Sequence, residues 1–156
     1  MSPETVSLKV AQYSDLENLI PMSVEFVNFA YPTQEIDLLR VRETLSSLIL
    51  GTPHNSIILL GYVNDSLSGM ISGALAPCMW NLSKTTIELW WWVDPKARQT
   101  SVGQELRTAF EHWSKSIVKA DRISMASLAH SRDQALDRIY RRNGFEKIET
   151  TYVKEL

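Results

Sequence analysis

The stretch from Thr85 to Ile117 constrains the fold more than any other part of this chain. Thr85 to Val93 (TTIELWWWV) is dense in β-branched and aromatic residues, the composition of a strand. A compact polar segment follows, and from there apolar residues recur at Val102, Leu106, Ala109, Phe110, Trp113 and Ile117, the stripe of an amphipathic helix. A strand that turns so directly into a helix sets the helix N-terminus beside the strand end. The first N–H groups of that helix have no intrahelical acceptor, and the aligned peptide dipoles add partial positive charge there. Gly103 removes a Cβ where a ligand would approach the backbone closely. Such a place binds anions, and phosphates fit it.

The rest of the chain reads as alternating elements. Val6 to Gln12 is a strand, and Ser14 with Glu17 forms a capping box for a helix with Leu16, Leu19, Ile20, Val24 and Val27 on one face. Pro21 should kink that helix or confine it to separate turns. Thr33 caps a second helix with a stripe of Leu38, Val41, Leu45, Leu48 and Ile49, ended by Gly51 and Pro53. Ile57 to Val63, a turn at Asn64-Asp65-Ser66, and Leu67 to about Met79 make a hairpin, and Asn81 to Lys84 turns the chain into the tryptophan strand. Within that strand, alternation puts Ile87, Leu89, Trp91 and Val93 on a core face and Thr86, Glu88, Trp90 and Trp92 on the other, which is expected to border a cleft. Arg122 to Leu128 is a further strand. Ser131 with Gln134 caps a last helix that stops at Gly144, and Thr151 to Lys154 closes the order β-α-α-β-β-β-α-β-α-β.

Two segments carry a family resemblance. Val93-Asp94-Pro95 followed by Arg98-x-x-Ser101-x-Gly103 resembles the signature of the GNAT superfamily of acyl-CoA-dependent N-acetyltransferases, whose Arg/Gln-x-x-Gly-x-Gly/Ala loop wraps the pyrophosphate of coenzyme A. Ser101 stands at the first glycine of that pattern. Ala135 to Phe145 (ALDRIYRRNGF) resembles the family's Ala-x-x-x-x-Tyr-x-x-x-Gly-Phe helix end. The resemblance implies an α/β fold of the three-layer α+β kind, a mixed central sheet with helices on both faces, over one domain spanning 1–156. It also implies a gap between the fourth and fifth strands in which the backbone of Trp91, Trp92 and Val93 pairs with pantetheine. Arg98, Gln99, Thr100, Ser101, Val102, Gly103 and Gln104 would hold the pyrophosphate. The family's pantetheine-binding Asn is Arg132 here.

Two residues are singled out for chemistry. Glu88, a carboxylate in the middle of an apolar strand, is costly unless solvated, paired or used. It is either the general base that takes a proton from the substrate ammonium or the partner of an arginine. Tyr140 matches the family tyrosine that protonates the leaving thiolate; its other reading is an amphipathic ring packing the helix against the sheet.

Composition sets limits. The 44% hydrophobic content gives no reason to expect disorder, no apolar run approaches the ~20 residues of a membrane helix, and no N-terminal stretch reads as a signal peptide. A cytoplasmic protein without a membrane partner is expected. Cys78, the single cysteine, reads as a buried structural thiol, and His54, His112 and His130 lack ligand spacing, so no metal is expected. Residues 1–95 carry 4 Lys/Arg against 10 Asp/Glu, whereas residues 96–142 carry 10 against 5. The basic third holds the proposed phosphate loop, with Lys96, Arg98 and Arg107 its chief cations, and it does not by itself imply nucleic acid.

The expected function is transfer of acetyl from acetyl-CoA to an amine of a small molecule or protein, by direct attack in a ternary complex. A homodimer is compatible with it. The acidic N-terminal part favours a cationic acceptor. The alternative is a non-catalytic GNAT-like module that binds coenzyme A or a partner.

Overall fold

A computed structural model describes residues 3–130 and 133–156. The described chain forms two compact units, Met1–Met125 and Ala126–Leu156. The first contains a five-stranded sheet in the order β1 (Val6–Val10), β2 (Ser56–Val63), β3 (Ser66–Pro77), β4 (Lys84–Val93) and β5 (Arg122–Ser124). Neighbours from β1 to β4 are antiparallel and β5 is parallel to β4. Asn64 and Asp65, at φ 49° and 62°, form the two-residue left-handed turn that matches the twist of the β2–β3 hairpin.

Helices cover both faces of the sheet. Ile57, Leu59 and Ile71 pack with Leu106, Phe110 and Trp113 on the side of α3 (Val102–His112). Ile58, Leu60 and Met70 alternate to the other face, where α1 (Leu16–Ala30) and α2 (Leu38–Leu50) bury Leu19, Phe26 and Leu45. Gly61 and Gly73 let α3 come close, since a Cβ on Gly73 would lie 2.4 Å from Phe110 Cε2.

Three details of the helices differ from the sequence reading. The N-cap position of α1 is Asp15, not Ser14, and its carboxylate caps no N–H of α1: Oδ2 accepts the Gln12 N–H at 2.8 Å, closing the short 3-10 turn Tyr13–Asp15 that leads into the helix, and Oδ1 accepts Lys9 Nζ at 2.7 Å. The helix then runs unbroken through Pro21, which is exposed, so the carbonyl it leaves unbonded can reach water. Its buried face is Leu16, Leu19, Met22, Phe26 and Ala30; Ile20, Val24 and Val27 are only half-buried. For α2 the cap is Asp37, which accepts from Leu39 and Arg40 N–H groups, and not Thr33.

Burial pushes the Asp15 carboxyl up, but the hydrogen bonds from Lys9 and the Gln12 N–H outweigh it and hold it below the usual carboxylate range. A depressed folded-state value stabilises the protein above the ordinary unfolded value of ~3.9 and is lost as the pH falls through the folded one. Asp15→Asn is therefore expected to cost about 1–2 kcal/mol in urea denaturation at neutral pH and to shrink the difference between neutral and acidic pH.

Beyond His112, α3 continues into a π-helical turn, Trp113–Ile117, in which the Val118 N–H donates to the Trp113 carbonyl at 3.1 Å. The extra residue in that turn rotates the stripe. Val118 is consequently buried, and Ile117, expected in the core, is 46% exposed.

The second unit holds α4 (Asp133–Arg142). Its end is a Schellman motif: Phe145 N–H donates to the Tyr140 carbonyl at 3.0 Å, Gly144 N–H donates to the Arg141 carbonyl at 3.2 Å, and Gly144 takes φ +81°. The Tyr140 and Phe145 rings meet at 5.5 Å across it. Residues Thr151 to Lys154 are exposed and form no strand, because strand-forming side chains without a paired edge do not make one. β5 likewise stops at Ser124, short of Leu128. The proposed cap Ser131 lies outside the described residues.

Candidate active site

The upper half of β4 is paired with β3 along one edge and lies beyond the end of β5 along the other. Trp92 stands opposite Met70, and the Asp94 N–H donates to the Ser68 carbonyl of β3 at 2.8 Å. In a planar trans peptide the Val93 carbonyl must then point the opposite way, and alternation gives the same direction to the backbone groups of Trp91. Those of Trp92 are taken up in the β3 ladder. β5 pairs with β4 only at Thr85, Thr86 and Ile87. The parallel pairing with β5 thus ends at Ile87, and beyond it the β4 edge turned away from β3 is lined by the backbone of Trp91 and Val93.

The loop after β4 is closed by its own groups. Asp94 Oδ1 accepts the Lys96 N–H at 2.9 Å, Ala97 N–H donates to the Asp94 carbonyl at 2.8 Å, and Thr100 uses both its N–H and its hydroxyl on the Ala97 carbonyl, at 3.0 and 2.7 Å. Gln99 Nε2 donates to the Lys96 carbonyl at 2.8 Å. Buried Ala97 and Val102 anchor the two ends. The side chains of Gln99 and Thr100 thus brace the turn, and Gly103 and Gln104, at the second and third positions of α3, have N–H groups with no intrahelical acceptor. Gly103 serves packing as well: a Cβ there would sit 3.3 Å from Val93 Cγ2.

Ser101 changes this site. Its hydroxyl donates to Glu105 Oε1 at 2.7 Å, which holds a carboxylate on the first turn of the helix where an anion would bind. Ser101→Gly releases that carboxylate and removes a Cβ. If the loop holds the pyrophosphate of acetyl-CoA as the family resemblance implies, calorimetric titration of the variant is expected to show binding about three- to tenfold tighter than wild type, the equivalent of one ordinary hydrogen bond.

Arg98 is anchored as well as charged. Its Nε donates to the Val93 carbonyl at 3.1 Å, and its guanidinium lies 4.9 Å from the Trp92 ring centre and 5.6 Å from that of Phe29. Phe29 and Trp92 are 5.3 Å apart, and Phe26 packs edge-on against both Trp90 and Trp92. The last turns of α1 are thereby tied to the loop through an aromatic cluster that the sequence reading missed; the available signal was the i, i+3 spacing of Phe26 and Phe29. Arg107 takes no part, being buried and paired with Glu111 along α3. Among the described residues no group of three or more His, Cys, Asp and Glu could hold a metal.

Glu88 lies at a break in β4. The β3–β4 register pairs Trp90 with Ser72 and Glu88 with Gly73, so Leu89 is an extra residue, a β-bulge. By register, Thr86, Glu88, Trp91 and Val93 share the α3 face, and Thr86 Oγ1 donates to Ser114 Oγ there. Trp90 and Trp92 face α1. The expected grouping of Glu88 with Trp90 and Trp92 is corrected by this bulge, as is the assignment of Ile87 and Leu89 to the core: they are 38% and 43% exposed. Glu88 itself is half-buried. Tyr140, in the second unit, donates its phenol hydrogen to the Ala126 carbonyl at 2.8 Å. Arg132 lies outside the described residues. Cys78, expected in a strand, sits in the loop after β3, where the Trp80 N–H, with smaller contributions from Asn81, Ser83 and Arg122, holds its thiol below the usual range.

The sequence profile of the acetyltransferase (GNAT) family matches residues 17–145. The chain is a member of the GNAT family. No curated protein matches it. Among solved structures, this GNAT protein is similar to a probable acetyltransferase at 18% identity and a TM-score of 0.76, covering 96% of this chain and 97% of that one. It is similar at 14% identity and a TM-score of 0.76 to a transcriptional regulator from Bacillus halodurans, covering 97% and 100%. The aminoglycoside N-acetyltransferase AAC(6')-Iy in complex with CoA gives 11% identity, a TM-score of 0.75 and coverage of 99% and 97%. At these identities the likeness is one of fold, a mixed sheet flanked by helices.

Proposed function

We propose that this GNAT protein transfers an acetyl group from acetyl-CoA to an amine by direct attack in a ternary complex, acting as one domain over 1–156. The observation that carries the reading is that β4 runs past the end of β5 into a braced loop and the N-terminus of α3. An extended amide chain ending in a diphosphate is complementary to that sequence of donors and acceptors: Trp91 and Val93 pair with the chain, and Arg98, the loop and the N–H groups of Gly103 and Gln104 hold the phosphates. When bound, acetyl-CoA supplies the activated acyl group as a thioester. Glu88, half-buried at the bulge, takes the proton from the acceptor ammonium. The Tyr140 O–H, held at the Ala126 carbonyl with its ring against Phe145, is the donor proposed for the departing sulfur.

Tyr140→Phe keeps the ring contact and removes that donor. Turnover is expected to fall about tenfold or more, with the melting temperature lowered only by the roughly 1 kcal/mol of the Ala126 hydrogen bond. Equal losses in both would assign Tyr140 to packing.

The acceptor is an amine, cationic before it reacts. Solved neighbours that act on aminoglycosides make that class the first to try, followed by polyamines and protein lysines. A cytoplasmic location goes with the use of acetyl-CoA. The deciding experiment follows free thiol release from acetyl-CoA across such a panel. Glu105 at the phosphate loop favours the second reading, a module that binds coenzyme A or a partner without catalysis; binding of acetyl-CoA with no thiol release on any amine would select it.

A further inference from the structure

The β3–β4 loop, residues 78–83, carries three large apolar side chains that the described residues leave uncovered: Met79 is 91% exposed, Trp80 74% and Leu82 100%. The loop is held in shape from within. Cys78 N–H donates to the Ser83 carbonyl at 3.0 Å, and both the N–H and the hydroxyl of Ser83 donate to Asn81 Oδ1, at 2.9 and 2.6 Å. The apolar groups are therefore presented on a braced tip, and little order is lost when they are covered.

The base of the tip is cationic. Lys84 opens β4, Arg122 is the register partner of Thr85 on β5, and Lys119, at φ 54°, is in the turn leading to it; all three are exposed. Asp121 ties that turn to the loop by accepting the Lys84 N–H at 2.8 Å through Oδ2 and donating its own N–H to the Lys84 carbonyl at 2.8 Å; it is exposed, so the base of the tip sets three cations against this one carboxylate. Apolar side chains at the apex with cations behind them match the two layers of an anionic bilayer surface, hydrocarbon beneath charged headgroups.

We propose that the β3–β4 tip docks this protein on an anionic lipid bilayer, with Met79, Trp80 and Leu82 inserted and Lys84, Lys119 and Arg122 against the headgroups. A convex tip of six residues is far smaller than the roughly 20–30 residues a side of an ordinary protein interface, whereas a bilayer deforms around a few inserted side chains, and tryptophan favours its interface. Such docking needs no spanning segment, and no helix among the described residues is long and apolar enough to be one. The tip and the phosphate loop lie at opposite ends of the 10-residue strand β4, about 30 Å apart, so a docked protein keeps its loop in solution.

The test is flotation of the full chain with vesicles of phosphatidylglycerol and phosphatidylcholine in about a 3:7 ratio, against phosphatidylcholine alone. Binding to the anionic vesicles is expected to be at least about tenfold stronger, and to fall at least about tenfold in the Trp80→Ser/Leu82→Ser variant. Lys84→Gln/Lys119→Gln should weaken it and reduce its salt dependence. Acetyl-CoA binding should be unchanged in both variants. Equal binding to the two vesicles, or wild-type binding by both variants, overturns the proposal; so does a dimer that the tip variant abolishes when no vesicle binds. If the Trp80 variant does not fold, the charge variant and quenching of wild-type tryptophan fluorescence by brominated lipid decide it.

Discussion

Glu88→Gln is expected to lower kcat/KM for a protonated amine by about 10²- to 10⁴-fold at neutral pH, the usual worth of a positioned base. Gln preserves shape and hydrogen-bonding capacity, so the fold and acetyl-CoA affinity should hold, which thermal melts with and without acetyl-CoA would verify. Activity should recover in part towards pH ~10, where a lysine-like acceptor becomes a free amine without help. The recovery is the discriminating part. A carboxylate that merely supports the bulge would cost stability when replaced, and its effect on rate would not follow the ionisation of the acceptor. Activity unaltered across the whole range would assign Glu88 to structure.

If acetyl-CoA binds as proposed, it is expected to stabilise the wild type by about 2.7 kcal/mol at a ligand concentration of about 100 times Kd, and Gly103→Glu is expected to abolish that gain. The substitution places a carboxylate beside the N–H groups proposed to hold the phosphates. The 3.3 Å approach of its Cβ to Val93 Cγ2 will also disturb the ligand-free protein. Gly103→Ala makes the same contact without the charge, so a thermal shift kept in the Ala variant and lost in the Glu variant isolates electrostatics at the loop. A Glu variant with the full shift would move the phosphate site elsewhere.

Most of the elements were legible in local pattern. The tryptophan strand, the β2–β3 hairpin and its Asn-Asp turn, and the ends of α2 and α4 at Gly51 and Gly144 rest on contacts within a few residues, and there composition and spacing suffice. What escaped depends on a single inserted residue or on distant partners. Neither the bulge at Leu89 nor the π-helical turn at Trp113 leaves a mark on composition, yet each changes which side chains are buried beyond it. The capping box expected of Ser14 and Glu17 did not form because Asp15 is drawn instead to Lys9 of β1 and to the Gln12 N–H, a pairing that depends on how β1 lies beside the turn. The loop between β4 and α3 was legible from its residues as a turn into a helix, but the commitment of Ser101 to Glu105 and of Arg98 to Trp92 and Phe29 depends on rotamers. Thr151 to Lys154 shows the converse, strand composition without a neighbouring edge.

The bulge in β4 also governs how this strand could be redesigned. A combinatorial library written over Lys84–Val93 with one alternating binary code would match the intended faces on only one side of the bulge. Two reading frames are required: positions 86 and 88 follow one parity towards α3, positions 91 and 93 the other, and Leu89 is the spacer between them. Point substitutions that respect the two frames should be accepted freely, whereas deleting Leu89 would remove the bulge and merge the two frames into one, with positions 86, 88, 91 and 93 all alternating towards α3.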